Sequence, residues 1–164
     1  MSHLTDHKPR GFLRWILRAP KWLYRVGFGW LLGERFMLLR YTGWKSGRQR
    51  ETVIEIIDHD REQDTYYAAS GWGTKSDWFQ SIRVNPEVHI QVGGRKLAAL
   101  AQILTRDEGA RHLSNYAKSH PVAFRELSKL IVGKVLTGTQ EELVGFAQSI
   151  PIIAFRKPGQ GVQT

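Results

Sequence analysis

Phe36-Met37-Leu38-Leu39-Arg40-Tyr41 and Thr52-Val53-Ile54-Glu55-Ile56-Ile57 enclose the loop Gly43-Trp44-Lys45-Ser46-Gly47-Arg48-Gln49-Arg50. Both flanks are dense in large apolar and β-branched residues, which suit a pleated, half-buried surface. The polar loop between them predicts a hairpin. A polar turn over Asp58–Asp64 then leads to a third strand, Thr65 to Ala69. Val88-His89-Ile90-Gln91-Val92 alternates, Gly93-Gly94 is a hairpin turn signal, and Lys96 to Leu104 reads as the returning strand. Ile152 to Phe155 supplies a sixth.

Helices fall between these strands. Ser76 or Asp77 can cap a short helix that runs through Val84 and ends near Asn85-Pro86. Thr105 with Glu108, and Thr139 with Glu142, have capping-box spacing, which predicts helices over Arg106–Lys118 and up to Gln148. Ser119-His120-Pro121 opens another helix, through Val132. This order predicts an α+β fold whose mainly antiparallel, six-stranded sheet closes as a barrel.

Upstream, residues 11–33 read as helical. Arg14, Arg18, Lys21 and Arg25 are spaced by four, three and four and form one stripe; Phe12, Trp15, Ile16, Trp22, Leu23 and Val26 fall on the other side. Pro20 kinks this helix or starts a second one. The apolar side can pack on the chain's own domain, or lie on an anionic membrane. The cations break up any signal-peptide core or transmembrane span of about 20 apolar residues. The expected organisation is a basic amphipathic segment over 1–34, a barrel domain over 35–158 and a tail over 159–164, one domain overall.

The 164 residues include no cysteine, which excludes a disulfide framework, cysteine-ligated metal and thiol catalysis. A cytoplasmic location is compatible with this, with peripheral attachment to the inner membrane face as the sharper alternative. Lysine and arginine total 24 against 15 acidic residues, a net charge of +9, so anionic partners are favoured. No recognition-helix pattern accompanies that charge, and specific nucleic-acid binding is not expected. His59, His89, His112 and His120 have no metal-ligand spacing, His3 and His7 sit in a polar terminus, and Asp58 and Asp60 read as turn residues.

Two stretches carry chemistry. In the first, Lys45, Arg48 and Arg50 place three cations within six residues, Ser46 adds a hydroxyl, and Gly43 and Gly47 permit backbone angles that let N–H groups converge on an anion. A phosphate is the natural ligand of such a set, although the same residues also make a polar hairpin turn with solvated charges. The second, Ser70-Gly71-Trp72-Gly73-Thr74-Lys75-Ser76-Asp77-Trp78-Phe79, leaves a strand and enters a helix. Its glycines admit a planar ring and its tryptophans can wall one, or else simply cover a barrel end.

Taken together, Gly43 to Arg50, Ala68-Ala69-Ser70-Gly71-Trp72-Gly73 and Asp77-Trp78-Phe79-Gln80-Ser81-Ile82-Arg83-Val84-Asn85-Pro86-Glu87-Val88 occur in the order of a known pattern. The chain resembles the deazaflavin-dependent nitroreductase family, within the flavin and deazaflavin oxidoreductases of split β-barrel fold, over residues 20–157. The resemblance implies coenzyme F420, with FMN as the alternative, and hydride transfer to a quinone, an enone or a nitro compound. A non-catalytic carrier of a deazaflavin, haem or lipid-like ligand is the competing expectation. By the family pattern Lys45, Ser46 and Arg50 meet the phosphate, with Gly47 and Arg48 beside them. Trp44 stands where the family has arginine, and Arg48 is the cation placed to compensate. Ala69, Ser70, Trp72, Asp77 and Trp78 match the region where the ring rests. Lys75, Arg83, Arg95 and Lys96 are candidates to line the path of the anionic tail. Pro121-Val122-Ala123-Phe124 lacks the tyrosines of nitroimidazole-reducing members. Relatives occur as monomers and as homodimers.

Overall fold

The computed structural model describes residues 33–71 and 73–160. The expected amphipathic helix, Trp72 and the end of the tail lie outside these residues. Six strands form one closed antiparallel barrel: β1 (Phe36–Thr42), β2 (Gln49–Asp60), β3 (Thr65–Ala69), β4 (Glu87–Val92), β5 (Arg95–Ile103) and β6 (Ile152–Arg156). Their order around the barrel is β1-β2-β3-β6-β5-β4, and β1 closes it by pairing with β4. Among the described residues four α-helices accompany them: α1 (Asp77–Val84), α2 (Arg106–Ser119), α3 (Pro121–Val132) and α4 (Gln140–Ser149).

Alternation along the strands divides the core in two. Met37, Leu39 and Tyr41 from β1, Val88, Ile90 and Val92 from β4, and Ile153 and Phe155 from β6 fill the barrel with Trp78, Phe79 and Ile82 of α1. The opposite faces of β3 and β6 (Tyr67, Ile152 and Ala154) pack on Leu113, Tyr116, Phe124, Leu143 and Phe146 of the helices. Strands β3 and β6 are therefore covered on both sides.

The expected strands all form, and β2 is longer than its apolar run suggests. It continues through Asp58 to Asp60 by way of an irregularity between Ile56 and Asp58, so Asp58 is a strand residue and not part of the turn. Thr105 and Glu108 make the complete capping box: the Glu108 N–H donates to Thr105 Oγ1 at 3.4 Å and the Thr105 N–H to Glu108 Oε2 at 2.9 Å. Thr105→Ala should therefore lower stability by about 1 kcal/mol. Urea unfolding would show this as a lower midpoint at unchanged slope. At α4 the box is altered. Thr139 accepts from the Glu142 N–H, but Glu142 reaches further back, to the N–H groups of Thr137 at 2.7 Å and Gly138 at 3.1 Å.

One barrel end is closed by charge. Asp64, in the left-handed region at φ 47°, takes a two-point grip from Arg95 (2.8 and 3.2 Å) and an ion pair from Lys157 at 2.8 Å. Hydrogen bonds from these two cations hold the Asp64 carboxyl far below the usual carboxylate range. A depressed folded-state value stabilises the fold above the ordinary carboxylate pKa of about 4 and loses that contribution as pH falls further. Asp64→Asn should destabilise the protein at neutral pH, with the gap from wild type closing below about pH 4. Denaturant titrations across that range check it, and a gap constant to the acid limit would refute it. Arg95 is thus committed to Asp64, at the end of the barrel opposite the loop 43–48. This removes it from the residues expected to line a path away from that loop.

Candidate functional site

The loop between β1 and β2 is shaped by its own backbone. The Gly43 N–H donates to Arg48 O and the Gly47 N–H to Gly43 O, each at 2.8 Å. Gly47 takes a φ of 64°, the left-handed region that glycine occupies without penalty. The Trp44 N–H donates to Ser81 Oγ at 3.1 Å, which pins the loop to α1. The N–H groups of Lys45 and Ser46 are left without an acceptor among the described residues. A Cβ at Gly43 would stand 3.0 Å from Ser46 Oγ and 3.2 Å from Arg50 Nε. Those two side chains therefore converge over a position that only glycine leaves open.

The cations are not equivalent. The Lys45 ammonium lies 4.8 Å from the centre of the half-exposed Trp44 ring, a cation–π contact. Neither Lys45 nor Arg48 has a carboxylate partner among the described residues. Arg50 does: its Nη1 lies 3.0 Å from Asp77 Oδ2. The Tyr41 hydroxyl donates to the same oxygen at 3.2 Å. Burial, and then the charge and hydrogen bond of Asp77, push the Tyr41 phenol up to about 12. The register supports this arrangement, since Tyr41 pairs with Arg50 across β1 and β2. Exposed N–H groups, a hydroxyl, two free cations and a third shared with Asp77 form a donor set that fits a phosphate.

The second stretch is organised differently. Ser70 is fully buried, and its Oγ lies 2.7 Å from both Gly73 O and Ser76 Oγ. Ser76 occupies the N-cap of α1, yet its hydroxyl turns to Ser70 and makes no cap bond. The Ser70 N–H donates to Pro151 O at 2.9 Å. Ser70 thus holds the turn from β3 to α1 against the entry to β6. Ala69 packs with the helical cluster, whereas Trp78 belongs to the barrel core and meets Phe79 edge-on. The structure gathers Lys45, Ser46, Gly47, Arg48, Arg50 and Asp77 at one barrel end and assigns Ala69 and Trp78 to different cores. Trp72 lies outside the described residues.

Two participants escape the sequence reading. Tyr41 is the last inward residue of β1, and Ser81 lies four residues after Asp77, on the same face of α1. Both signals exist in the sequence, but only the docking of α1 on the loop gives them meaning. Elsewhere, His112 Nδ1 and Asn115 Nδ2 lie 2.8 and 3.0 Å from Asp58 Oδ2, and the His112 ring stacks on Tyr67. His112 is therefore a half-buried seam residue between α2 and β2. Among the described residues no group of histidine and acidic side chains could hold a metal ion, and no helix is long and apolar enough to cross a membrane.

The model of a family described as F420H(2)-dependent quinone reductase matches residues 17–128. A Mycobacterium tuberculosis protein, Rv3178, provisionally named as an F420H(2)-dependent quinone reductase, is 26% identical over 87 residues, covering 53% of this chain and 73% of that protein. A solved structure described as an F420-H2 dependent reductase, FDR-A, superposes with a TM-score of 0.52 at 17% identity, over 76% of this chain and 96% of its own. A Listeria innocua structure, provisionally described as a pyridoxamine 5'-phosphate oxidase, gives 0.50 at 15% identity, over 84% and 93%. At such identities the two structures attest the split-barrel fold.

Proposed function

Since the chain belongs to the F420H(2)-dependent quinone reductase family and is an F420-dependent oxidoreductase, we propose that it transfers a hydride from reduced F420 to a quinone-type acceptor and grips the cofactor phosphate with the loop Gly43–Arg50. The observation that carries this reading is the loop itself, with two N–H groups and the cations Lys45 and Arg48 that have no acceptor or carboxylate partner among the described residues. When bound, the reduced deazaflavin supplies the hydride equivalent. The chain's own residues do the holding. Lys45 and Arg48 offer charge, Ser46 and the N–H groups of Lys45 and Ser46 offer hydrogen bonds, and Gly47 sets the turn. Arg50, steadied by Asp77, completes the grip. Ala69, Ser70, Trp72 and Trp78 are proposed nearer the ring by family likeness, with Ser70 acting through the turn it ties together. Enones and nitro compounds are the alternative acceptors.

The proposed catalytic unit spans 35–158, with 1–34 and 159–164 flanking it, as a monomer or homodimer. The basic stripe of 11–33 is proposed to meet an anionic membrane face, where a lipid-soluble quinone would be found. Deletion of residues 1–30 should then abolish sedimentation with anionic vesicles.

Separate titrations with F420 and FMN, followed by anaerobic oxidation of reduced F420 by menadione, cyclohexenone and a nitroarene, test the whole reading. Tight F420 binding with menadione as the fastest acceptor is expected. F420 binding with no acceptor reduced would favour the carrier. Binding of FMN alone would overturn the proposal.

A further inference from the structure

The placement of a carboxylate inside a phosphate grip needs explaining, because it opposes the ligand the other residues attract. Asp77 Oδ2 lies 3.0 Å from Arg50 Nη1, while the Nε side of the same guanidinium reaches over Gly43 toward Ser46 Oγ. One guanidinium therefore spans the anion seat and the carboxylate. The buried Tyr41 hydroxyl, 3.2 Å from the same oxygen, fixes the carboxylate from the barrel side. Among the described residues, two of the loop's three cations, Lys45 and Arg48, have no carboxylate partner.

We infer that Asp77 is a specificity-determining positioning residue, which trims the charge of the loop and so narrows its preference for a dianionic phosphomonoester over a monoanionic phosphodiester. This rests on the phosphate seat proposed above and adds what that seat selects. The phosphate of F420 is a diester and carries one negative charge. FMN ends in a monoester, which is mostly dianionic at neutral pH because its second ionisation lies near pH 6. A fixed negative charge beside the seat repels the dianion twice as strongly as the monoanion. A barrel able to seat either ring would thereby tell the two cofactors apart by charge.

The side chains that contact Asp77 are Tyr41 from β1 and Arg50 from β2; Lys45 and Arg48 belong to the loop that leads to Arg50, and Lys75 and Arg83 lie before and at the end of α1. No histidine is among them. His89 pairs in register with Arg40, on the outer side of the sheet from the inward-pointing Tyr41. A change in FMN affinity between about pH 5.5 and 7.5 would therefore report the ligand's own phosphate.

The test compares wild type with Asp77→Asn and Asp77→Glu. At neutral pH, Asp77→Asn should tighten FMN roughly tenfold and F420 only about threefold, since Coulomb energy scales with the charge of the phosphate held beside Asp77. Asp77→Glu should restore the wild-type ratio. Wild type should bind FMN more tightly as its phosphate becomes dianionic, because three cations outweigh one carboxylate, and Asp77→Asn should steepen that trend. Methyl phosphate and dimethyl phosphate, followed through the amide signals of Lys45 and Ser46, repeat the comparison without a ring and check that each variant is folded. In that arm the variant should gain affinity for the monoester over the diester. Equal weakening of all ligands by Asp77→Asn would overturn the inference and leave Asp77 as a mere brace for Arg50. Equal gains, or none, would overturn it too. Failure of F420 to bind while the two small phosphates keep the expected order would sink the cofactor reading and leave this one standing.

Discussion

Lys45→Ala/Arg50→Ala is expected to weaken F420 binding by roughly 10²-fold or more, because each lost charge-assisted hydrogen bond contributes about 1.5–3 kcal/mol. Arg50 adds to this indirectly. It partners Asp77 at 3.0 Å, so its removal leaves a carboxylate beside the phosphate with, among the described residues, Tyr41 alone to hydrogen-bond it. Lys45 acts more simply, as an exposed cation without a carboxylate partner among the described residues. The double variant should therefore lose more than Lys45→Ala/Arg48→Ala, even though Arg48 is the freer cation. Fluorescence titration with F420 at low and moderate salt checks both magnitude and order. A double variant within threefold of wild type would place the phosphate elsewhere.

The largest loss of stability is expected from Phe146→Ala in α4. Phe146 is buried and meets Phe124 edge-on at 6.0 Å, within the cluster that covers β3 and β6. Large-to-small changes of this kind cost about 3–5 kcal/mol, transfer and cavity effects together. Against a total stability of about 5–15 kcal/mol that is a large share, and the thermal midpoint should fall by 10 °C or so. Phe146→Leu should recover most of the loss. The anion loop is at a barrel end lined by other residues, so folded Phe146→Ala should bind F420 nearly as wild type does. Calorimetry and a titration below the shifted midpoint test the two halves of this expectation.

The fold was legible because period-two alternation and capping signals depend on neighbours in sequence. The turn over Gly93-Gly94 and the box of Thr105 and Glu108 are complete in a few residues, and both form as read. What the sequence could not show were relations set by docking. Asp77 and Arg50 are 27 positions apart, and nothing local says that they share a charge. Ser76 reads as a cap, and becomes something else only when Ser70 arrives from β3. Asp58 reads as a turn residue until β2 is seen to extend beyond its apolar run to meet His112 of α2. Within the candidate site, the loop could be read because its donors are consecutive. The carboxylate and phenol that set its charge come from elements that only the barrel brings together.

Every described strand has a neighbour on each side, since β1 joins both β2 and β4. Where a strand is paired on both sides, another chain finds no row of N–H and C=O groups to extend; β3 covers β2 only from Ile56 to Asp60 and β6 covers β5 only from Leu100 to Ile103, so any template for strand addition is confined to stretches paired on one side, such as the first halves of β2 and β5. A second copy can approach the barrel side chain to side chain. To join the doubly paired part of the wall it would have to replace one of the six strands, and two ladders must first be broken. Association through that doubly paired part is thus as slow and as rare as the opening of the barrel itself.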